Sequence, residues 1–507
     1  MYYQIGLRTD SAQLSREVVG LARETFGRRD VRFAQIAMDR ISELHDSAQR
    51  HEIPGLLAEA KVALADSRQP DSLQRGTLFY HLANFECYES LAGALQTSEH
   101  ALRILQRTSV GYFLSDAFRL AGRIRIVSGH FDVAENHNRH AVAVPLGPDE
   151  GSDAFRVNAR AELAESLLKL GRLEESERYA RMAAEQSSRV NGAEHRWTLI
   201  HRIRLANQLT LAGKVEEALG LRADVEKALE MSRPEYDAQF RAYMSCYLHV
   251  MLKERGRPDL CAPLLLEDLR DRRQHVPRSG SVAEREVELA NVYTACGRYD
   301  EAQVLIDGAK LRWERYAGGA ATPARNNPYL LAAARLQLAR GLPEEAQRCL
   351  SQLATPATAA HGRFDDRIVD AAAERALVAL ALGEAGSARH LANVDMDALD
   401  KQFGSARMPH LRARLHLVRG RAQQVLGNLR EAEADLRIAL TIRRRHDDAA
   451  SLWLAEVQIA LAHCMSAMNS REEAQALRQE ARQIHAQHQD LGAHLVRPLT
   501  ALEKLLA

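Results

Sequence analysis

The 507-residue chain is poor in several things at once. Only 5% of it is aromatic, and only 6 residues are cysteine, at 87, 246, 261, 296, 349 and 464. No two of them stand at Cys-x-x-Cys spacing, which excludes a zinc ribbon and a small disulfide scaffold. They read as reduced thiols packed as small hydrophobes. An excess of charge of either sign is also missing. Lys+Arg is 68, Asp+Glu is 67 and the net charge is +1. That balance excludes a phosphate-tracking basic domain as the main theme. Lysine is scarce: 8 residues, leaving 60 of the 68 cations as arginine, a fork-shaped donor suited to carboxylates. The longest apolar runs, such as Ala376 to Leu382, fall far below the ~18 residues needed to span a bilayer. Met1 to Arg8 lacks a basic region followed by an apolar stretch. The expected setting is the cytoplasm, with no membrane contact.

Reaction signatures are missing as well. There is no GxxxxGK[ST] to cradle phosphate, no GxSxG elbow and no HExxH. His485, His488 and His494 share the C-terminal region, but no carboxylate or Cys is locked beside them, and they read as a solvated face rather than a metal site. Arg443, Arg444 and Arg445 read as solvent-facing arginines near a helix end. The pairs Glu174-Glu175, Glu216-Glu217 and Glu344-Glu345 suit the positive end of a helix dipole better than paired catalysis. The chain is therefore expected to be no enzyme, with no metal and no cofactor.

What is present is a repeat. Gly129, Gly171, Gly213, Gly256, Gly297, Gly341, Gly383 and Gly427 follow one another at gaps of 42, 42, 43, 41, 44, 42 and 44. Asn469 takes the same place 42 residues on, and Ser90 takes it 39 residues back. Seven before each turn residue sits a mostly small residue: Ala83, Gly122, Ala164, Ala206, His249, Ala290, Ala334, Ala376, Gly420 and Ala462. Five after sit Leu95, Ala134, Ser176, Ala218, Cys261, Ala302, Ala346, Ala388, Ala432 and Ala474. Two antiparallel helices approach closely only where neither carries bulk. A Gly supplies the left-handed residue that ends the first of them. Half a period out of phase lie further breakers, Pro145 to Gly151, Pro277 to Gly280, Gly318 to Pro323 and Thr355 to Thr358, read as loops between units. His249 and Cys261 make the Gly256 unit the weakest match.

This pattern resembles tetratricopeptide repeats, whose hairpins are about 34 residues long. The spacing near 42 is closer to the kinesin-light-chain type, and Asn191-Gly192-Ala193-Glu194-His195-Arg196-Trp197-Thr198-Leu199 is similar to its Gly-x-x-His-Pro-x-Thr-Leu entry, with Arg196 in place of Pro. The resemblance implies an all-α solenoid, a right-handed superhelix of about 10–11 helix hairpins. Residues 1–70 are expected as an N-terminal helical cap with a diverged repeat at about 31–70, residues 71–490 as the array, and 491–507 as a capping helix. The tail, Glu431 to Leu440 with Arg443-Arg444-Arg445-His446 and Trp453-Leu454-Ala455-Glu456, resembles the C-terminal repeats of some bacterial serine/threonine kinases. No kinase catalytic loop or Asp-Phe-Gly accompanies it.

In that family the residue six before the turn points into the concave groove. Here the column reads Asn84, Arg123, Glu165, Asn207, Val250, Asn291, Arg335, Leu377, Arg421 and His463. The resemblance implies that Asn84, Asn207 and Asn291 grip a ligand backbone, since an amide's donor and acceptor match a peptide bond. Arg123, Arg335 and Arg421 would suit acidic groups by paired hydrogen bonds. The bland alternative is that the Asn side chains only bond the neighbouring unit and the Arg side chains are surface. No Lys falls in the column, so a chaperone-tail clamp is not expected. The expected function is a protein- or peptide-binding scaffold in a bacterial signalling or regulatory assembly, its partner carrying acidic groups. The alternative is a sensor-regulator whose superhelix changes shape on binding. Nucleic acid is not an expected partner, and the oligomeric state stays open.

Overall fold

The computed structural model describes residues 8–44, 52–65, 70–109, 111–145, 152–231, 238–318, 328–353, 366–404, 407–488 and 490–507. Of the loops expected at 145–151, 318–323 and 355–358, residues 146–151, 319–323 and 355–358 lie outside the described residues, as do Met1–Leu7 and 45–51. Among the described residues there are twenty-four α-helices and no strand. Consecutive helices pair as hairpins, the all-α array that the spacing of the turns implies. Helix α1 (Arg8–Phe26) precedes eleven hairpins, α2 (Val31–Leu44) to α23 (Arg471–His485), and α24 (Ala493–Leu506) follows them. The even-numbered helices are the first of each pair. They continue as α4 (Leu73–Glu86), α6 (Tyr112–Val127), α8 (Ser152–Lys169), α10 (Arg196–Leu211) and α12 (Ala238–Glu254). Next come α14 (Gly280–Ala295), α16 (Pro328–Arg340), α18 (Asp366–Ala381), α20 (Pro409–Val425) and α22 (Leu452–Ala467). The second helices are α3 (Ile53–Leu64), α5 (Leu91–Thr108), α7 (Phe131–Ala143), α9 (Leu173–Asn191) and α11 (Val215–Met231). Then follow α13 (Cys261–His275), α15 (Tyr299–Ala317), α17 (Pro343–Ser351), α19 (Ala385–Phe403), α21 (Leu429–His446) and α23.

The turn glycines do what the spacing requires. All eight from Gly129 to Gly427 have φ between 70° and 83°, and Asn469 takes the same left-handed conformation at 62°. The first unit departs by one residue. Ser90 caps α5, its side chain accepting from the Gly93 N–H, so the turn residue is Glu89 and the fully buried small position is Ala94 rather than Leu95. Glu174-Glu175, Glu216-Glu217 and Glu344-Glu345 lie in the first turns of α9, α11 and α17, as the dipole argument expects.

Close approach at the small columns is also real. A Cβ on Gly420 would sit 2.7 Å from Leu436 Cγ and 3.2 Å from the Ala432 carbonyl oxygen. Gly420→Val is therefore expected to lose on the order of 2 kcal/mol by overpacking. Gly220, mid-helix in α11 with nothing within 4 Å, should behave oppositely. Gly220→Ala should gain about 0.5–1 kcal/mol. Urea unfolding midpoints of the two variants, moving in opposite directions, check both.

The chain divides into two compact units. Unit 1 comprises Met1–Ser166, Arg272–Val282 and Arg312–Thr322, and its core includes Phe33, Ile41, Leu57, Leu64, Leu78 and Leu82. Unit 2 comprises Leu167–Asp271, Ala283–Leu311 and Pro323–Ala507. One of its cores joins α20 to α24 through Leu417, Leu436, Leu440, Val457, Leu461, Leu477, Leu499 and Leu502.

Unit 2 also folds back on itself. The carbonyls at the end of a first helix accept hydrogen bonds from N–H groups at the start of the first helix five hairpins later. Met408 N–H donates to Leu211 O at 3.0 Å, joining α10 to α20. Asp448 and Leu452 donate to Arg255 and Gly256 at 3.1 and 3.0 Å, joining α12 to α22. Gly492 donates to Ala295 at 3.0 Å, joining α14 to α24. Each carbonyl is one that a helix C-terminus leaves unsatisfied, and the negative end of one dipole meets the positive end of the next. Side chains reinforce this seam. Arg257 pairs with Asp448 at 3.4 Å, and Trp453 Nε1 donates to Lys253 O at 3.1 Å. Leu173 packs with Met396, Leu399, Met408 and Leu411. Gly256 and Gly297 lie inside it: a Cβ on Gly297 would sit 2.8 Å from Gly492 Cα, and one on Gly256 would run into Ser451 and Trp453. Unit 1 has a contact of the same kind, in which Arg278 meets Glu89 at 3.5 Å.

Candidate functional site

The column residues sit on the first helices, Asn84 now five before its turn and the others six, and all six singled out from the sequence are half-buried rather than open to solvent. In unit 1, Arg123 donates to Asn84 Oδ1 at 2.8 Å, joining α6 to α4. Beside them Tyr80 donates to Asp116, and Arg119 pairs with Asp116 at 2.6 Å. Burial and the Asp116 charge together push the Tyr80 phenol well above its ordinary value.

In unit 2 the first helices carry a second polar row. Asn207 Nδ2 donates to Tyr247 O of the next unit at 3.2 Å, while Asn207 Oδ1 and Asn291 Oδ1 are buried with no hydrogen-bond partner among the described residues. Lys253 of α12 pairs with Glu288 of α14 at 3.6 Å. Burial alone would raise the Glu288 carboxyl. Lys253, His249, Arg285 and Arg335 outweigh it and hold the group at about 2. Further on, Glu374 of α18 receives Arg335 from α16 and Arg414 from α20. Glu374 is 2% exposed, and the two guanidinium groups overcome the effect of burial to keep it ionised, below the usual carboxylate range. Arg421 lies 3.6 Å from Glu456 of α22, a loose pair in which both side chains keep about 40% of their exposure.

The column thus joins neighbouring units. Asn84 and Arg123 bond each other, and Arg335 is engaged by Glu374 instead of standing free at the surface. The sequence reading missed Glu374 and Arg414. The missed signal was an acidic residue nine before the turn, where Glu162, Glu288 and Glu374 all fall.

Two other groups are placed differently from expectation. Arg443 is buried: it donates to His410 O at 3.2 Å and pairs with Asp447 at 3.4 Å, while Arg444 pairs with Glu480 at 2.8 Å. Among these three arginines the buried one acts as a brace between α20 and the loop after α21. The three histidines are not one solvated face either. His488 is buried, with Nε2 2.6 Å from Ala450 O and Nδ1 3.4 Å from Asp259. His494 Nδ1 lies 3.0 Å from Tyr299 OH, and burial, with Arg497 adding to it, drives that ring down to about 4. Among the described residues no group of three or more His, Cys, Asp and Glu side chains is arranged to hold a metal ion, and no helix is long and apolar enough to cross a membrane.

No family model matches the chain, and no curated protein matches it. Solved structures do. A chain of the APC/C hetero-tetramer Cut9-Hcn1 is 14% identical over 100% of this chain and 97% of that one, with a TM-score of 0.47. The Rap protein, solved in complex with Competence and Sporulation Factor, is 13% identical over 82% of this chain and 98% of that one, at 0.42. Yeast Tom70 is 14% identical over 94% and 96%, at 0.33.

Proposed function

We propose that the chain is a non-catalytic scaffold that binds an extended protein segment along the first helices of unit 2. The observation that carries this reading is the polar row on α10, α14, α16 and α20. Asn207 and Asn291 hold amide oxygens without donors, two units apart in one register. They lie two hairpins apart, a span that an extended segment can cover at ~3.3 Å per residue. Further along, two guanidinium groups converge on Glu374, and Arg421 is only loosely paired. That excess of donors suits acidic side chains or a terminus on the bound segment. Asn84 and Arg123 form a separate pair on unit 1, where a second stretch of ligand would bind. The host is taken to be a bacterial signalling or regulatory assembly in the cytoplasm.

The test uses the full chain to capture partners from its own cells, followed by affinity measurements with the purified partner. Asn207→Ala should weaken binding by about 1 kcal/mol, roughly five-fold, and Arg421→Ala by somewhat more. Both variants should melt close to wild type, because neither side chain closes a fully buried pair. Normal binding by both would end this reading.

The seam favours a second reading, a sensor-regulator. A ligand that opened contacts such as Arg257–Asp448 would change the pitch of unit 2 and so control an effector. A ligand-dependent change in the X-ray scattering profile distinguishes it from a rigid scaffold.

A further inference from the structure

The seam in unit 2 uses a specific contact that the same unit leaves unmade elsewhere. Trp453 is the second residue of α22. Its Nε1 donates to Lys253 O, and its ring edge lies 3.0 Å from where a Cβ on Gly256 would be. Trp197 is the second residue of α10 and so occupies the same place in its own hairpin. The seam joins α20, α22 and α24 each to the first helix five hairpins earlier, and α10 belongs to the fifth hairpin. Among the described residues no turn receives it. Trp197 is 49% exposed, and residues 192–197 are all exposed around it.

Receiving turns are left over as well. In the Gly256 turn, the Gly N–H bonds the Lys253 carbonyl and the next N–H bonds that of Leu252. The turns at Gly341, Gly383 and Gly427 repeat this pattern with Leu338 and Gln337, Leu380 and Ala379, and Gln424 and Gln423. None of these three glycines has anything within 4 Å of its Cβ position. Beside Gly427, Val425 and Leu426 are 66% and 42% exposed, an apolar bed for an indole ring.

We propose that Trp197 of one copy docks on the Gly427 turn of a second copy, continuing the seam between molecules. Donor and acceptor halves of a contact that the chain already makes are left over on one unit, so the partner with matching geometry is the chain itself. The contact is heterologous: a copy that gives Trp197 still offers its own Gly427 turn, and association propagates head to tail.

Sedimentation velocity of the full chain over about 1–100 µM tests this, a range that populates micromolar contacts. The weight-average mass of wild type should rise at least two-fold with concentration. Trp197→Ser and Val425→Asp should each stay at the mass of one chain. Mixed in equal amounts they should form dimers and nothing larger, because each supplies the half the other lacks. Val304→Ser, a change at a residue 72% exposed elsewhere on the unit, should associate like wild type. Circular dichroism melts confirm that the variants fold. A wild type that stays monomeric, a Trp197→Ser that associates normally, or a mixture that does not pair would each overturn the proposal.

Discussion

Gly256→Ala is expected to cost on the order of 3 kcal/mol, and Gly427→Ala only about 1. Both glycines sit at the same place in their hairpins with nearly the same φ, 77° and 82°, so the strain of a left-handed alanine is common to both. What differs is the space. Nothing lies within 4 Å of the Gly427 Cβ position, whereas a methyl on Gly256 would meet Ser451 and Trp453. Ser451 is held in place: its hydroxyl donates to Asp447 at 2.7 Å and accepts from Leu454 N–H at 3.1 Å. The loop behind it is pinned by the backbone bonds to Arg255 and Gly256. It has nowhere to retreat without breaking the seam. Urea unfolding of the two variants side by side decides the matter. Equal losses would mean that the seam contributes nothing to stability.

Asp447→Ala should be costlier still, about 3–5 kcal/mol. The carboxylate is fully buried and accepts from Ser451, while Arg443 at 3.4 Å brings positive charge to it and the His410 ring lies 3.3 Å away. Its removal leaves the buried Arg443 guanidinium with the His410 carbonyl and no counter-ion. The double variant Arg443→Met with Asp447→Ala should lose less than the two single losses combined, because the stranded charge is gone. The same pair gives a pH dependence. Burial pushes the Asp447 carboxyl up, but Arg443, His410 and Ser451 outweigh it, and it lies below the usual Asp value. The folded state therefore binds this proton less tightly than the unfolded chain. Its contribution is complete above about pH 4–5 and is lost as pH falls through the lowered value. Glu374 and Glu288 are lowered in the same sense, so wild type should weaken steadily in acid. Asp447→Asn should flatten part of that slope, as followed by unfolding midpoints between neutral and acid pH.

The hairpins were legible because each turn records its own local physics. A left-handed Gly or Asn and two small residues at fixed distances are needed in every unit, whatever lies beyond it. The one slip, at Ser90, came where no Gly marks the turn and a serine cap occupies the next position instead. The polar row was legible as a column and illegible as a set of pairs. Asn207 and Arg335, six before their turns, each meet the residue nine before the following turn, Tyr247 and Glu374. Glu162, nine before Gly171, likewise attracts Arg123. Aligning equivalent positions shows which residues are alike but hides this diagonal. The seam was not legible at all, since which hairpins meet depends on small rotations accumulated over five units. Trp197 and Trp453 look alike in the sequence, yet one is exposed and the other is bonded to a turn 200 residues away.

The four backbone bonds of the seam span 197, 193, 196 and 197 residues. During synthesis at ~5–20 residues per second, the end of α10 emerges roughly 10–40 s before Met408 does. Through that interval its carbonyls can be satisfied only by water, and the early hairpins of the unit exist as a half-finished edge. Each helix end within the seam is thus completed by residues made long after it. A nascent chain stopped short of residue 408 lacks every strut that the later helices bring, although its hairpins up to that point are present in full.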